Sequence, residues 1–106
     1  MILVRDEFQC KLGGAHVAVD RIKAQADLLQ SQNVIKRARV LTDLSGRFDT
    51  VIFEAEVESL DAYFAMMRAA FANPDIQARS AAMGEMPQQS GSRAFYTIEV
   101  TYELDG

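Results

Sequence analysis

FDTVIFEAEVESLDAYFAMMRAAF, residues 48 to 71, decides the fold. Val51, Phe53, Ala55 and Val57 alternate with Ile52, Glu54 and Glu56, and period two is the mark of a strand with one buried face. Beyond Glu58-Ser59 the apolar positions become Leu60, Phe64, Met67 and Phe71, at spacings of four, three and four. That rhythm predicts a helix burying those side chains. Ser59 is the expected N-cap, and Asp61 suits the positive end of the helix dipole.

Toward the N-terminus, Ile2, Val4, Asp6 and Phe8 alternate with Leu3, Arg5 and Glu7, which predicts a first strand over 2–8. The break Lys11-Leu12-Gly13-Gly14 leads into a helix from Ala15 to about Gln32. Its expected buried stripe is Ala15, Val19, Ile22, Ala26 and Leu29, opposite His16, Asp20, Lys23 and Asp27. Asn33 can close that helix in the left-handed conformation. A second strand over 34–44 and a turn at 43–47 then form a hairpin with the third strand.

Toward the C-terminus, Asn73-Pro74-Asp75 ends one helix and starts another, expected over 74–83 and closed by Gly84. Residues 85–92 read as a polar loop. A last strand is expected over 93–103, with Tyr96, Ile98, Val100 and Tyr102 against Phe95, Thr97, Glu99, Thr101 and Glu103. The order β-α-β-β-α-β, with a short helical insertion before the last strand, is an α+β chain on the ferredoxin-like plan. No linker divides the 106 residues, so one domain is expected.

In the usual sheet order for this plan, 4-1-3-2, both helices cover the face of Ile2, Val4 and Phe8 and of Val51, Phe53, Ala55 and Val57. The opposite face is then expected to carry Glu99 and Glu103, Arg5 and Glu7, Glu54 and Glu56, and Arg37 and Arg39 on successive strands, with Leu3, Leu41, Ile52 and Phe95 among them. Opposite charges on neighbouring strands can pair. A face so mixed suits packing against the same face of a second copy, so a homodimer through the open sheet is expected.

A net charge of −4 argues against a nucleic-acid partner, which needs a basic surface to meet phosphates. An RNA-binding sheet of this topology also needs exposed aromatics on its central strand, where Glu54 and Glu56 stand instead. No apolar run approaches the roughly 20 residues that span a bilayer, and Arg5, Asp6 and Glu7 interrupt the N-terminus too early for a secretion signal. The one cysteine, Cys10, forbids an internal disulfide and a cysteine-rich zinc site. It reads first as a small apolar residue and second as a reactive thiol. A cytoplasmic location is expected.

Three segments carry a resemblance. They are Ile2 to Phe8 running through Lys11 and Gly13-Gly14 into a helix; FEAEVESLDAYFAMMRAAFANPDIQA, residues 53–78; and SGSRAFYTIEV, residues 90–100. The chain resembles the dimeric α+β barrel superfamily, and within it the NIPSNAP-like proteins, over nearly its whole length. Arg5 matches the basic residue common in that first strand, while Glu7 stands where an aromatic is frequent. The resemblance implies a homodimer with a cavity in each subunit between sheet and helices. Its superfamily includes cofactor-free monooxygenases, haem-degrading enzymes, small isomerases and members without assigned activity, so the fold alone names no reaction.

The candidate chemistry is sparse. His16 is either a general base at a pocket mouth or, as its helical position favours, a surface residue beside Asp20. Arg5, Arg37 and Arg39 either gather a small anion or pair with Glu54, Glu56 and Glu99, and the excess of acids favours pairing. Tyr63, Met66, Met67, Phe71, Met83, Met86 and Tyr96 either fill core or line an apolar pocket under the 74–83 helix. Neither a metal nor an organic cofactor is expected. The function expected first is a homodimer binding a small hydrophobic molecule through Arg5, Arg37, Tyr63, Met67, Phe71 and Tyr96. The alternative is a cofactor-independent monooxygenase or isomerase of a small hydrophobic substrate, with His16 and Arg39 as catalytic candidates.

Overall fold

A computed structural model describes residues 1–82 and 87–104. The elements are β1 (Ile2–Cys10), α1 (Ala15–Leu29) with a 3-10 turn at Gln30–Gln32, β2 (Ile35–Thr42), β3 (Thr50–Val57), α2 (Leu60–Ala72), α3 (Pro74–Ala82) and β4 (Gln88–Thr97). The four strands form one antiparallel sheet in the order β2-β3-β1-β4. The element order is the one the patterns predict, and the sheet order is the usual one for the ferredoxin-like plan. Gly84, Met83 and Met86 lie outside the described residues.

Both long helices cover the face that the strand pattern marks as apolar. Ala18 and Ile22 of α1 pack with Cys10 and Val51, while Tyr63 and Met66 of α2 pack with Val4 and Val57. Ser59 caps α2 as expected, its Oγ accepting from the Ala62 amide at 3.1 Å. Asn73 Oδ1 accepts from the Asp75 amide at 2.9 Å and starts α3. The start of α1 has a more distant support. Asp49, at φ 57°, accepts from the Gly13 amide at 2.9 Å and the Ala15 amide at 3.1 Å, so a carboxylate from the β3 approach satisfies donors at the helix N-terminus. Gly14 is needed there for closeness, because a Cβ on it would come within 2.9 Å of the Pro87 side chain.

The buried stripes of both long helices differ from expectation. On α2 the buried stripe is Tyr63, Met66 and Ala70, with Phe64 and Phe71 exposed, not Leu60, Phe64, Met67 and Phe71. The helix is turned by one position, about 100°, because β4 offers Tyr63 an aromatic neighbour, Phe95, and a cation, Arg93. On α1 the most deeply buried residue is Ala18, beside the expected Ile22.

The last strand spans 88–97 rather than 93–103. β1 continues to Cys10, and its free edge recruits the polar segment expected to be a loop, pairing Gln9 with Ser90 and Cys10 with Gln88. An edge strand can be built from polar residues because its partner supplies the hydrogen-bond ladder. The strand ends where that partner runs out: Thr97 pairs with Ile2, and the Ile98 amide donates to the Met1 carbonyl at 3.0 Å. Phe95 consequently sits opposite Val4 on the helix side and Tyr96 opposite Leu3 on the open side, while Glu99 and Glu103 leave the sheet.

Met66→Ala is expected to cost about 2–5 kcal/mol by leaving a cavity. Phe71→Ala, at a residue 68% exposed, is expected to cost less than about 1 kcal/mol. Urea unfolding of both variants measures the difference, and the expected buried stripe would give the reverse order.

Candidate functional site

On the open face, direct register opposes charges. Glu54 lies between Arg5 and Arg39, and Glu56 opposite Arg37. Glu54, 8% exposed, meets Arg39 Nε at 2.6 Å and Arg5 Nε at 3.4 Å, and Arg37 Nε is 3.6 Å from Glu56. Each of these arginines thus has an acidic partner on the neighbouring strand of the same sheet. Leu3, Arg37, Ala38, Arg39, Glu54 and Glu56 border a hollow of about 160 Å³.

The helix side holds a second charged group. The alternation of β1 places Asp6 on the apolar face, where it is 7% exposed. Arg93 of β4 lies directly opposite and answers it with two bonds, Nε to Oδ1 at 2.6 Å and Nη2 to Oδ2 at 3.1 Å. A bidentate pair is how a carboxylate can be kept in such a place. The guanidinium stands 5.7 Å from the centre of the Tyr63 ring, within cation–π range. Tyr63, Phe64 and Phe95 meet edge to face, with centroids 5.5 to 6.2 Å apart. Burial pushes the Tyr63 phenol above its usual range, opposed by Arg93 and reinforced by Asp6. The hydrogen bond to Asp6 raises Arg93 further. Asp6, Phe8, Gly91, Ser92 and Arg93 border an open hollow of about 230 Å³.

A cleft of about 380 Å³ lies among the helices. Arg21, Gln25, Leu28 and Leu29 of α1 form one wall, Met67, Ala70 and Phe71 of α2 another, and Ile76, Gln77 and Ser80 of α3 the third. The Gln77 side-chain amide donates to the Phe71 carbonyl and ties α3 to α2.

The residues expected to share a pocket are divided by these surfaces. Met67 and Phe71 line the helical cleft; Tyr63 and Met66 are core beneath α2; Tyr96, Arg5 and Arg37 are on the open face; Met83 and Met86 are outside the described residues. Of the two catalytic candidates, His16 is exposed in the first turn of α1 and Arg39 is held by Glu54. Cys10 is buried, and burial, with the Asp49 charge, raises its thiol above the usual range. Among the described residues no three His, Cys, Asp or Glu side chains gather as a metal site, and no helix is long and apolar enough to cross a membrane. Neither Asp6 nor Arg93 is marked by a motif. The available signal is Asp6 itself, an acid in the apolar register of Ile2, Val4 and Phe8.

The sequence matches no protein-family model and no curated protein. The fold has many solved counterparts. A NIPSNAP domain protein from Burkholderia xenovorans aligns over 99% of this chain and 100% of its own, with TM-score 0.71 and 16% identity. A NIPSNAP-like domain protein from the same organism covers 98% and 90%, with TM-score 0.76 and 13% identity. SnoaB from Streptomyces nogalater, a cofactor-independent oxygenase, covers 94% of both chains, with TM-score 0.70 and 13% identity. The chain has the ferredoxin-like α+β fold of NIPSNAP and antibiotic biosynthesis monooxygenase proteins.

The folded chain holds the Tyr63 proton more tightly than the unfolded chain, which releases it near pH 10. This contribution to stability is therefore complete below about pH 10 and is lost as pH rises through the higher folded value. Urea unfolding between about pH 9 and 11 is expected to show a steeper loss in the native chain than in Tyr63→Phe.

Proposed function

We propose that this protein is a homodimer that binds a small hydrophobic molecule in the cleft between α1, α2 and α3. The observation that carries the binding is the cleft itself. Its apolar walls include Leu28, Leu29, Met67, Phe71 and Ile76, and about 380 Å³ lies at the small end of the roughly 300–1,000 Å³ range of ligand sites. Met67 and Phe71 touch the ligand in this arrangement, whereas Tyr63 supports α2 from below. The dimer is supported by the open face, where Leu3, Leu41, Ile52 and Tyr96 interrupt the ion pairs. It is also supported by Val100, Tyr102 and Leu104, an exposed apolar alternation beyond β4. Arg5, Arg37 and Arg39 then serve the interface. A buried, unpaired cysteine suits a cytoplasmic setting.

Native mass spectrometry with added 1-octanol tests both halves. The expected species is a dimer that takes up the alcohol, and Ser80→Leu, which fills the cleft, is expected to abolish uptake while leaving the dimer intact. A monomer overturns the dimer; a dimer with no uptake overturns the cleft.

The Asp6–Arg93–Tyr63 group favours a second reading, a cofactor-independent oxygenase or isomerase of a small hydrophobic substrate, in keeping with the description of SnoaB. The guanidinium N–H groups not used by Asp6 can hold a substrate oxygen as it gains negative charge, and Tyr63 keeps a proton close by. We assign these roles to Arg93 and Tyr63, which stand against each other, rather than to His16, exposed in the first turn of α1, or to Arg39, on the open face. On a substrate found by screening, Arg93→Lys is expected to lower kcat about 10²-fold or more, while Arg39→Lys leaves it within a factor of a few. Equal effects would remove the assignment.

A further inference from the structure

One cation that lines the helical cleft has no acidic partner among the described residues. Arg21 Nη1 is buried and makes no hydrogen bond, and no ion pair among the described residues engages the side chain. The sequence around it explains the deficit. Helical neighbours three and four positions away are Val17, Ala18, Ala24 and Gln25, so α1 supplies no acid at the spacings that pair on a helix. The other walls supply none either: the cleft is lined by apolar side chains, two glutamines and a serine. A guanidinium is always charged, and a buried donor left unmade is costly to the fold. Arg21 thus brings a cation into an apolar cleft from which every anion of the described chain is missing.

We infer that the cleft takes an amphipathic carboxylate, its carboxyl group received by Arg21 and its hydrocarbon body lying against Leu28, Met67, Phe71 and Ile76. This rests on the binding assigned to the cleft above and adds the charge of the ligand. Arginine is suited to the task because its planar fork can offer two parallel N–H bonds to one carboxylate. The modest volume selects a short chain or a single ring. The polar tips of Gln25, Gln77 and Ser80 border the same space and can meet the oxygen atoms that Arg21 does not.

Octanoate and 1-octanol share a hydrocarbon body and differ in the charged group, so their affinities isolate the part played by Arg21. Calorimetric titration of the native chain is expected to give octanoate an affinity at least about tenfold tighter than the alcohol, or about 1.4 kcal/mol. In Arg21→Met the two probes are expected to converge, because octanoate weakens while octanol is retained. The same variant, relieved of an unmet donor, is expected to melt no lower than the native chain. Arg21→Gln, which keeps a polar tip without the charge, supplies a second variant and the same expectation. Arg79→Met removes an equal charge from α3 outside the cleft lining and is expected to keep the preference.

Equal binding of both probes by the native chain would overturn the carboxylate while leaving the apolar cleft standing. Absence of binding by either would overturn the cleft as well. A preference that survives Arg21→Met, or that is lost in Arg79→Met, would overturn the assignment to Arg21.

Discussion

β1 is paired along both edges, and the parity of its side chains constrains everything else. Even-numbered residues face the helices and odd-numbered residues face the open side, so Arg5 and Asp6, adjacent in sequence, belong to different environments. Arg5 meets Glu54 of β3 on one face, and Asp6 meets Arg93 of β4 on the other. A one-residue slip of β1 would exchange these faces, placing Leu3 and Arg5 under the helices and parting Arg5 from Glu54 and Asp6 from Arg93. The two ion pairs therefore act as register markers. Each contributes little where its arginine is exposed to solvent, but Asp6 and Glu54 are buried enough that losing their partners is costly.

The strands and helices were legible because their periods differ so sharply. The bounds of β4 were not, because they depend on a partner rather than on the segment's own residues. Gln88 to Ser92 has the composition of a loop, yet it is a strand because β1 extends beside it. Tyr102 and Val100 have the composition of a strand, yet they lie beyond it because β1 has ended. The turn of α2 was hidden for a related reason. A tyrosine counts as half polar in any periodic pattern, and only the proximity of Phe95 and Arg93 makes it the residue to bury.

The candidate sites were legible in part. Pairing of Arg37 with Glu56 and of Arg39 with Glu54 follows from charge on neighbouring strands, and Met67 and Phe71 do border a cleft beneath the α3 segment. Tyr63, Phe71 and Tyr96, expected around one pocket, stand on different surfaces, because α2 is turned by one position and the pairing of β4 with β1 sets Tyr96 opposite Leu3 on the open face. Arg93 and Arg21 carried no visible signal. The importance of each arises from what surrounds it, a buried acid in one case and the absence of any acid in the other.

Asp49 has a consequence for the order of assembly. The donors at the start of α1 are met by a carboxylate more than 30 residues further along the chain. During synthesis from the N-terminus, α1 is polymerised before that carboxylate is added. Its first turn must fray or bind water until the segment entering β3 has arrived, and the same arrival delivers Val51 to the apolar side of the helix. Helix and hairpin thus become stable together, which makes the early folding of this small chain depend on a long-range closure rather than on local helix formation.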